Sequence, residues 1–176
     1  MKDVPRYPVP SPYYIVDGSN PEEFMLGMLR LGRLLETSVV GVFDDTGRGS
    51  RRDIELPLHQ DGQYSQKLAE AQGRSVVELD HIDIVGVYCL REGKEACFTT
   101  LSVMPGGLHV PETQGPDGFQ PGEMEEIELK YGQSLVFDNN RCMHGRRGTV
   151  GERLLLRMWL RNDFLRGKIP PPPDAK

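Results

Sequence analysis

The sequence predicts a mainly β fold: a double-stranded β-helix (jelly roll, cupin-like) with one or two flanking helices. Three observations predict it. The 20 Gly and 14 Pro among 176 residues suit many short strands joined by turns. One amphipathic helical pattern near the N-terminus is followed by about seven or eight strand-like runs bounded by turn formers. The stretch Arg153 to Arg161 alternates with a strict two-residue period, the mark of a strand with two unlike faces. The length suits one domain with a real core, assigned to residues 1–168, and a Pro-rich disordered or polyproline tail, 169–176.

In chain order, Met1 to Pro12 is Pro-rich and extended, and Tyr13 to Val16 reads as an edge strand or a cover for a cavity mouth. Asn20-Pro21-Glu22-Glu23 is a helix start: a capping Asn, Pro in the first turn, then acids that favour the positive helix N-terminus. The spacing of Phe24, Met28, Leu31 and Leu35 predicts a helix running to about Glu36. Residues 37–43 and 54–59 read as strands, separated by a polar loop from Asp44 to Asp53. Ser65 to Gln72 reads as a second, short helix. Val76 to Leu90 and Cys97 to Met104 are strand signals, and Pro105 to Pro121 is a long Gly/Pro-rich loop. Glu123 to Lys130 alternates acid and apolar residues like an edge strand. Leu135 to Phe137 is a strand that breaks at the turn formers Asp138-Asn139-Asn140, after which a Gly-rich turn leads to the strand from Arg153.

The formal charge of −5 argues against general binding to nucleic acid or anionic membranes. No apolar run is long enough for a membrane span, and MKDVPRYPVPSPYY lacks a signal-peptide core, so a cytoplasmic location is expected. Cys89, Cys97 and Cys142 are odd in number and show no CxxC spacing, which indicates neither a disulfide framework nor a structural zinc site.

Chemistry concentrates in a few positions. In His59-Gln60-Asp61, residues i and i+2 of a strand point to one side, so an imidazole and a carboxylate can reach one ion. His144, arriving from a distant strand, would complete a facial triad of two His and one carboxylate with three open positions, the arrangement of non-haem Fe(II) oxygenases. His81-Ile82-Asp83 matches the same pattern. His59 ends a strand and is followed closely by Gly62, as befits a barrel rim, whereas His81 lies inside a long strand signal; the first copy is therefore the metal candidate. In the strand after His144, Leu154, Leu156, Met158 and Leu160 form a greasy face. Arg153, Leu155, Arg157, Trp159 and Arg161 form the other, which either meets solvent or lines a cavity that receives anions.

Phe137-Asp138-Asn139-Asn140-Arg141, His144-Gly145-Arg146 and Arg153, together with Leu56-Pro57-Leu58-His59-Gln60-Asp61-Gly62, resemble the Fe(II)/2-oxoglutarate-dependent oxygenases. More narrowly they resemble the branch containing taurine dioxygenase, γ-butyrobetaine hydroxylase and clavaminate synthase. The resemblance implies Fe(II) on His59, Asp61 and His144, with 2-oxoglutarate and O₂ as co-substrates. It implies that Arg153 grips the far carboxylate of 2-oxoglutarate and that Arg157 lies near co-substrate or substrate. Planar, two-point recognition of a carboxylate is what Arg does well. Ala96 stands where the family often carries a Thr on that same carboxylate, and Thr99 or Thr100 is the nearby substitute. Halogenating relatives lack the metal carboxylate, so Asp61 favours oxygenation.

The expected activity is hydroxylation, desaturation or cyclisation at an unactivated C–H bond of a small metabolite, with 2-oxoglutarate and O₂ converted to succinate and CO₂. Gln63, Tyr64, Arg146, Trp159 and Arg161 are the candidate substrate contacts, alongside the loops Asp44–Arg52, Gln63–Gln66 and Pro105–Gln120. Two rival readings remain at this stage. One is a cupin-type metal oxygenase that does not use 2-oxoglutarate; the other is a non-catalytic jelly-roll protein that binds a carboxylate.

Overall fold

The computed structural model describes residues 11–41, 56–62, 82–93, 98–103, 124–147 and 153–162. Among them, nine strands form two antiparallel sheets. Sheet A contains β1 (Tyr13–Val16), β2 (Arg33–Gly41), β4 (Ile84–Arg91), β7 (Ser134–Asp138) and β9 (Leu154–Arg161) in the order β1-β7-β4-β9-β2. Sheet B contains β3 (Leu56–His59), β5 (Phe98–Val103), β6 (Met124–Ile127) and β8 (Cys142–Arg147) in the order β3-β8-β5-β6. From β3 to β9 the chain passes back and forth between the sheets, with β5 and β6 paired as neighbours. This is the expected jelly roll.

Sheet A is covered on both faces, and its side-chain alternation divides two cores. Val85, Val87 and Cys89 of β4, Leu135 and Phe137 of β7, Leu101 of β5, Ile127 of β6 and Cys142 of β8 meet between the sheets. The intervening residues Ile84, Tyr88, Val136, Leu156, Met158 and Leu160 face outward. There they are covered by Phe24, Met28 and Leu31 from the helix α1 (Pro21–Leu29) and the turn after it. Each fully buried aliphatic or aromatic side chain contributes about 1.5–3 kcal/mol relative to exposure. This double cover is why β4 and β7 are almost wholly buried.

Helix α1 begins as its sequence dictates. The Asn20 side chain accepts from the Glu23 amide, the Glu23 carboxylate accepts from the Asn20 amide, and Pro21 opens the first turn. Its end corrects the expectation of a helix to Glu36: α1 stops at Leu29, and β2 begins at Arg33. Gly32 explains the change of direction. A Cβ there would lie 2.5 Å from the Arg161 carbonyl oxygen, so only Gly lets the chain come down onto β9 and pair with it. Leu35 consequently packs into the inner core, not under the helix with Phe24 and Met28.

A second correction concerns residues 145–147, expected as the start of a Gly-rich turn from Gly145 to Gly151. They belong to β8, whose pairing with both β3 and β5 overrides the loop-like composition. β1 is an edge strand on β7, and β6 is the expected edge strand. The Tyr13 hydroxyl donates to the Glu125 carboxylate and ties these two edges together across the sandwich. The candidate helix at 65–72, the start of the strand signal at 76, the loop at 105–121 and the tail at 169–176 lie outside the described residues. No helix among the described residues is long and apolar enough to cross a membrane.

Candidate metal centre

The centre is built where β3 meets β8. His59 and His144 are register partners in that antiparallel pair, which places their rings side by side, centroids 4.4 Å apart. Phe137 of the facing sheet packs on the His144 ring at 4.8 Å. Past the end of β3 the chain turns, and Gly62 takes φ +93°, a left-handed conformation that side-chain-bearing residues avoid. This turn brings the Asp61 carboxylate back onto the two imidazoles. Asp61 Oδ1 lies 3.6 Å from His59 Nε2 and 3.7 Å from His144 Nε2.

Asn139, the first residue after β7, fastens the turn. Its side-chain carbonyl accepts from the Asp61 amide at 3.0 Å, and its amide donates to the Asp61 carbonyl at 3.0 Å and to the Ile82 carbonyl at 2.8 Å. The Gln60 side chain donates to the Asn139 carbonyl at 2.7 Å. The second carboxylate oxygen of Asp61, Oδ2, accepts from the Trp159 indole N–H at 2.7 Å. Arg157 stacks over the Trp159 ring, its guanidinium carbon 4.1 Å from the ring centre, and one of its nitrogens lies 4.0 Å from Asp61 Oδ1. Another lies 3.5 Å from Glu36 of β2.

The donor set fits a divalent metal. The ligand atoms of His59, Asp61 and His144 all lie within 4.8 Å of one another. Two atoms each about 2.1 Å from one ion can be up to about 4.2 Å apart, which both Asp–His distances satisfy. Burial pushes the Asp61 carboxyl up. The adjacent His59 imidazole, and at low pH the positive charge of His144, Arg157 and His59, outweigh it and hold the group down to about 2. Burial pulls His144 down to about 4, against the opposing pull of Asp61, so it is neutral near pH 7. An ionised carboxylate and a neutral imidazole are the forms that bind metal.

The three groups open onto a cavity of ≈ 110 Å³ between the sheets, with room for a small acid rather than a single water. Its lining includes Val40, Val87, Phe137, Leu155, Thr99, Arg146, Arg153 and Arg157. The Arg face of β9 thus turns inward to a cavity, while Leu156, Met158 and Leu160 lie under α1. Arg153 is 3% exposed, and its Nη2 donates to Thr99 Oγ1 of the opposite sheet at 3.3 Å.

Of the expected substrate contacts, Arg146 lines the cavity on the same strand face as His144. Arg161 stands opposite Arg33 at the far end of β9, away from the cavity lining. Trp159 packs against the inner core and gives its N–H to Asp61, so its polar atom is engaged with a candidate ligand and not with the cavity. Gln63 and Tyr64 lie outside the described residues, as do His81 and Ala96. Asp83 of the second His-x-Asp copy accepts from the Asn140 side-chain amide at 3.1 Å and the Asn162 backbone at 2.8 Å. Sequence reasoning treated Asn139 as a turn former and as part of the motif before His144, without a site role, and gave Glu36 none beyond the expected helix end. The Asn that follows Phe137-Asp138 was the available signal for Asn139; nothing local marks Glu36.

No family model matches the chain, and no curated protein matches it. Solved structures do. The non-heme iron oxygenase OrfP in complex with Fe, succinate and (3S)-hydroxy-L-Arg superposes with a TM-score of 0.60 at 13% identity, over 89% of this chain and 77% of that one. OrfP with Fe and alpha-ketoglutaric acid gives 0.57 at 14% identity, over 90% and 77%. PvcB, an Fe, alpha-ketoglutarate dependent oxygenase from an isonitrile synthetic pathway, gives 0.57 at 12% identity, over 86% and 76%. At these identities the likeness is one of fold.

Proposed function

We propose that this protein is an Fe(II)- and 2-oxoglutarate-dependent oxygenase that oxidises an unactivated C–H bond of a small metabolite. The observation that carries the reading is one cavity with a two-His, one-carboxylate cluster at its rim and a buried Arg in its wall. The fold likeness to iron oxygenases such as OrfP and PvcB supports it. His59, Asp61 and His144 would hold the iron; with 2-oxoglutarate and O₂ bound, such a centre supplies the means to take a hydrogen atom from carbon.

The chain's own residues bind, orient and exclude water. Arg153 offers a planar grip for the far carboxylate of 2-oxoglutarate, and the Thr99 hydroxyl, already bonded to Arg153, is placed to share that carboxylate. Thr99 thereby does the work expected of the Thr that Ala96 replaces. Phe137, Val87 and Leu155 keep the cavity wall dry, which strengthens the guanidinium–carboxylate attraction. Arg157 stays within reach of the cavity while held by Trp159 and Glu36, and can meet co-substrate or substrate there. Arg146, on the same face of β8 as His144, is the described residue best placed for an acidic group on the substrate.

The direct test is succinate formation from 2-oxoglutarate in air with Fe(II). The reading expects slow, substrate-independent turnover by the native protein and none by His144→Ala; equal turnover by the variant overturns the metal assignment.

A further inference from the structure

The two oxygens of Asp61 have different neighbours. Oδ1 faces both imidazoles, at 3.6 and 3.7 Å, while Oδ2 accepts the Trp159 indole N–H at 2.7 Å. A carboxylate can give a metal one oxygen or two, and a two-oxygen grip would take a position that co-substrate or O₂ needs. Indole N–H is a donor only, so it cannot release Oδ2 by changing its own proton state, and its ring is held by its neighbours. Arg157 stacks on the ring, its guanidinium carbon 4.1 Å from the ring centre, and the indole packs against the inner core. Glu36, the register partner of Trp159, pairs with Arg157 and holds the stacked guanidinium in place.

Resting on the metal reading above, we propose that Trp159 is a positioning residue. Its N–H retains Asp61 Oδ2 so that the carboxylate meets the metal through Oδ1 alone, and the Arg157–Glu36 pair fixes the ring that does so. The hydrogen bond also orients Oδ1 before metal arrives, so its loss weakens metal binding as well as changing its mode. Partners of this kind cost roughly 10–100-fold in metal affinity when removed.

The test uses Mn(II) as the probe with the full chain. Free Mn(II) gives the affinity by its electron-spin signal, and water-proton relaxation reports how many waters the bound ion keeps. Two variants separate the N–H from the ring. Trp159→Phe removes the donor and part of the ring. Replacing Trp159 by its benzothienyl analogue puts sulfur in place of N–H and keeps the shape. The proposal expects both to bind Mn(II) about tenfold more weakly and to show lower water relaxation per bound ion. The analogue should keep the native thermal midpoint. Native affinity and relaxation in the analogue would overturn the proposal and leave Trp159 a packing residue. If native protein and Asp61→Ala bind Mn(II) equally weakly, the metal reading itself fails and this proposal with it. That outcome is recognised from native protein and Asp61→Ala, before any Trp159 variant is compared.

Discussion

Asp61 and Asp83 occupy the same place in two copies of one pattern, His-x-Asp, and the fold uses them in opposite ways. Asp83 is 1% exposed, and its carboxylate accepts from the Asn140 amide and the Asn162 backbone N–H. Its own backbone is bonded on both sides, N–H to the Leu160 carbonyl and carbonyl to the Asn139 N–H. Every part of it joins strand ends. Asp61 instead spends one oxygen on Trp159 and turns the other towards two imidazoles at the edge of a cavity. The described parts of the two copies are clipped together by Asn139, which bonds the Asp61 main chain and the Ile82 carbonyl with one side chain. The lesson is that the tripeptide specifies neither role. What decides is whether the carboxylate is delivered to amide N–H donors or to imidazole nitrogens that a cation can bridge.

The comparison breaks most sharply by substitution at the two acids. Asp61→Ala should lower Fe(II) or Mn(II) affinity by more than about 100-fold, beyond the loss of an outer partner, with a smaller cost in unfolding from the acceptor lost to the Trp159 N–H. Asp83→Ala should do the reverse. It takes the acceptor from the buried Asn162 N–H and the part-buried Asn140 amide and costs about 2–4 kcal/mol in denaturant unfolding, while the folded fraction still binds metal. Equal effects on metal binding would erase the distinction.

Asn139→Ala should strike both copies, because the clip serves both. The expectation is a loss of about 1–3 kcal/mol in stability and about tenfold in metal affinity, read by the same two measurements. Gly62→Ala should be the smallest change. Forcing a side chain into φ +93° costs about 1 kcal/mol, and the added Cβ meets Ile82 Cδ1 at 3.4 Å, an ordinary contact. Metal affinity should fall with it, since the same turn carries Asp61. A Gly62→Ala protein that loses stability alone would show that the turn and the carboxylate are independent.

Much of this arrangement was legible in the sequence. The β-rich fold, the capped helix start and the unlike faces of β9 follow from period and turn chemistry. His59, Asp61 and His144 were named from the His-x-Asp pattern and the family resemblance, and Asp61 reaches the imidazoles through a turn rather than as a strand neighbour of His59. Thr99 beside Arg153 followed only from the family resemblance and the absence of the expected Thr at Ala96. The failures share one cause, pairing between distant strands. Phe24, Met28, Leu31 and Leu35 carry a helical period through a point where Gly32 lets β2 dock on β9. Gly145 and its neighbours resemble a turn, yet β8 is held between β3 and β5. Trp159 was expected at the substrate, and its indole N–H instead reaches a carboxylate 98 residues away in sequence. Such contacts depend on register, which no local window contains.

The central claim is that one cavity holds iron on His59, Asp61 and His144 and 2-oxoglutarate on Arg153. It is tested most directly by adding Fe(II) and 2-oxoglutarate without oxygen and recording the visible spectrum. An iron-chelated 2-oxo acid gives a weak charge-transfer band. The account predicts that band in the native protein, a much higher 2-oxoglutarate concentration to reach it in Arg153→Ala, and no band in Asp61→Ala. A native protein that binds iron yet gives no band at saturating 2-oxoglutarate, or an Asp61→Ala protein with the native band, would contradict it.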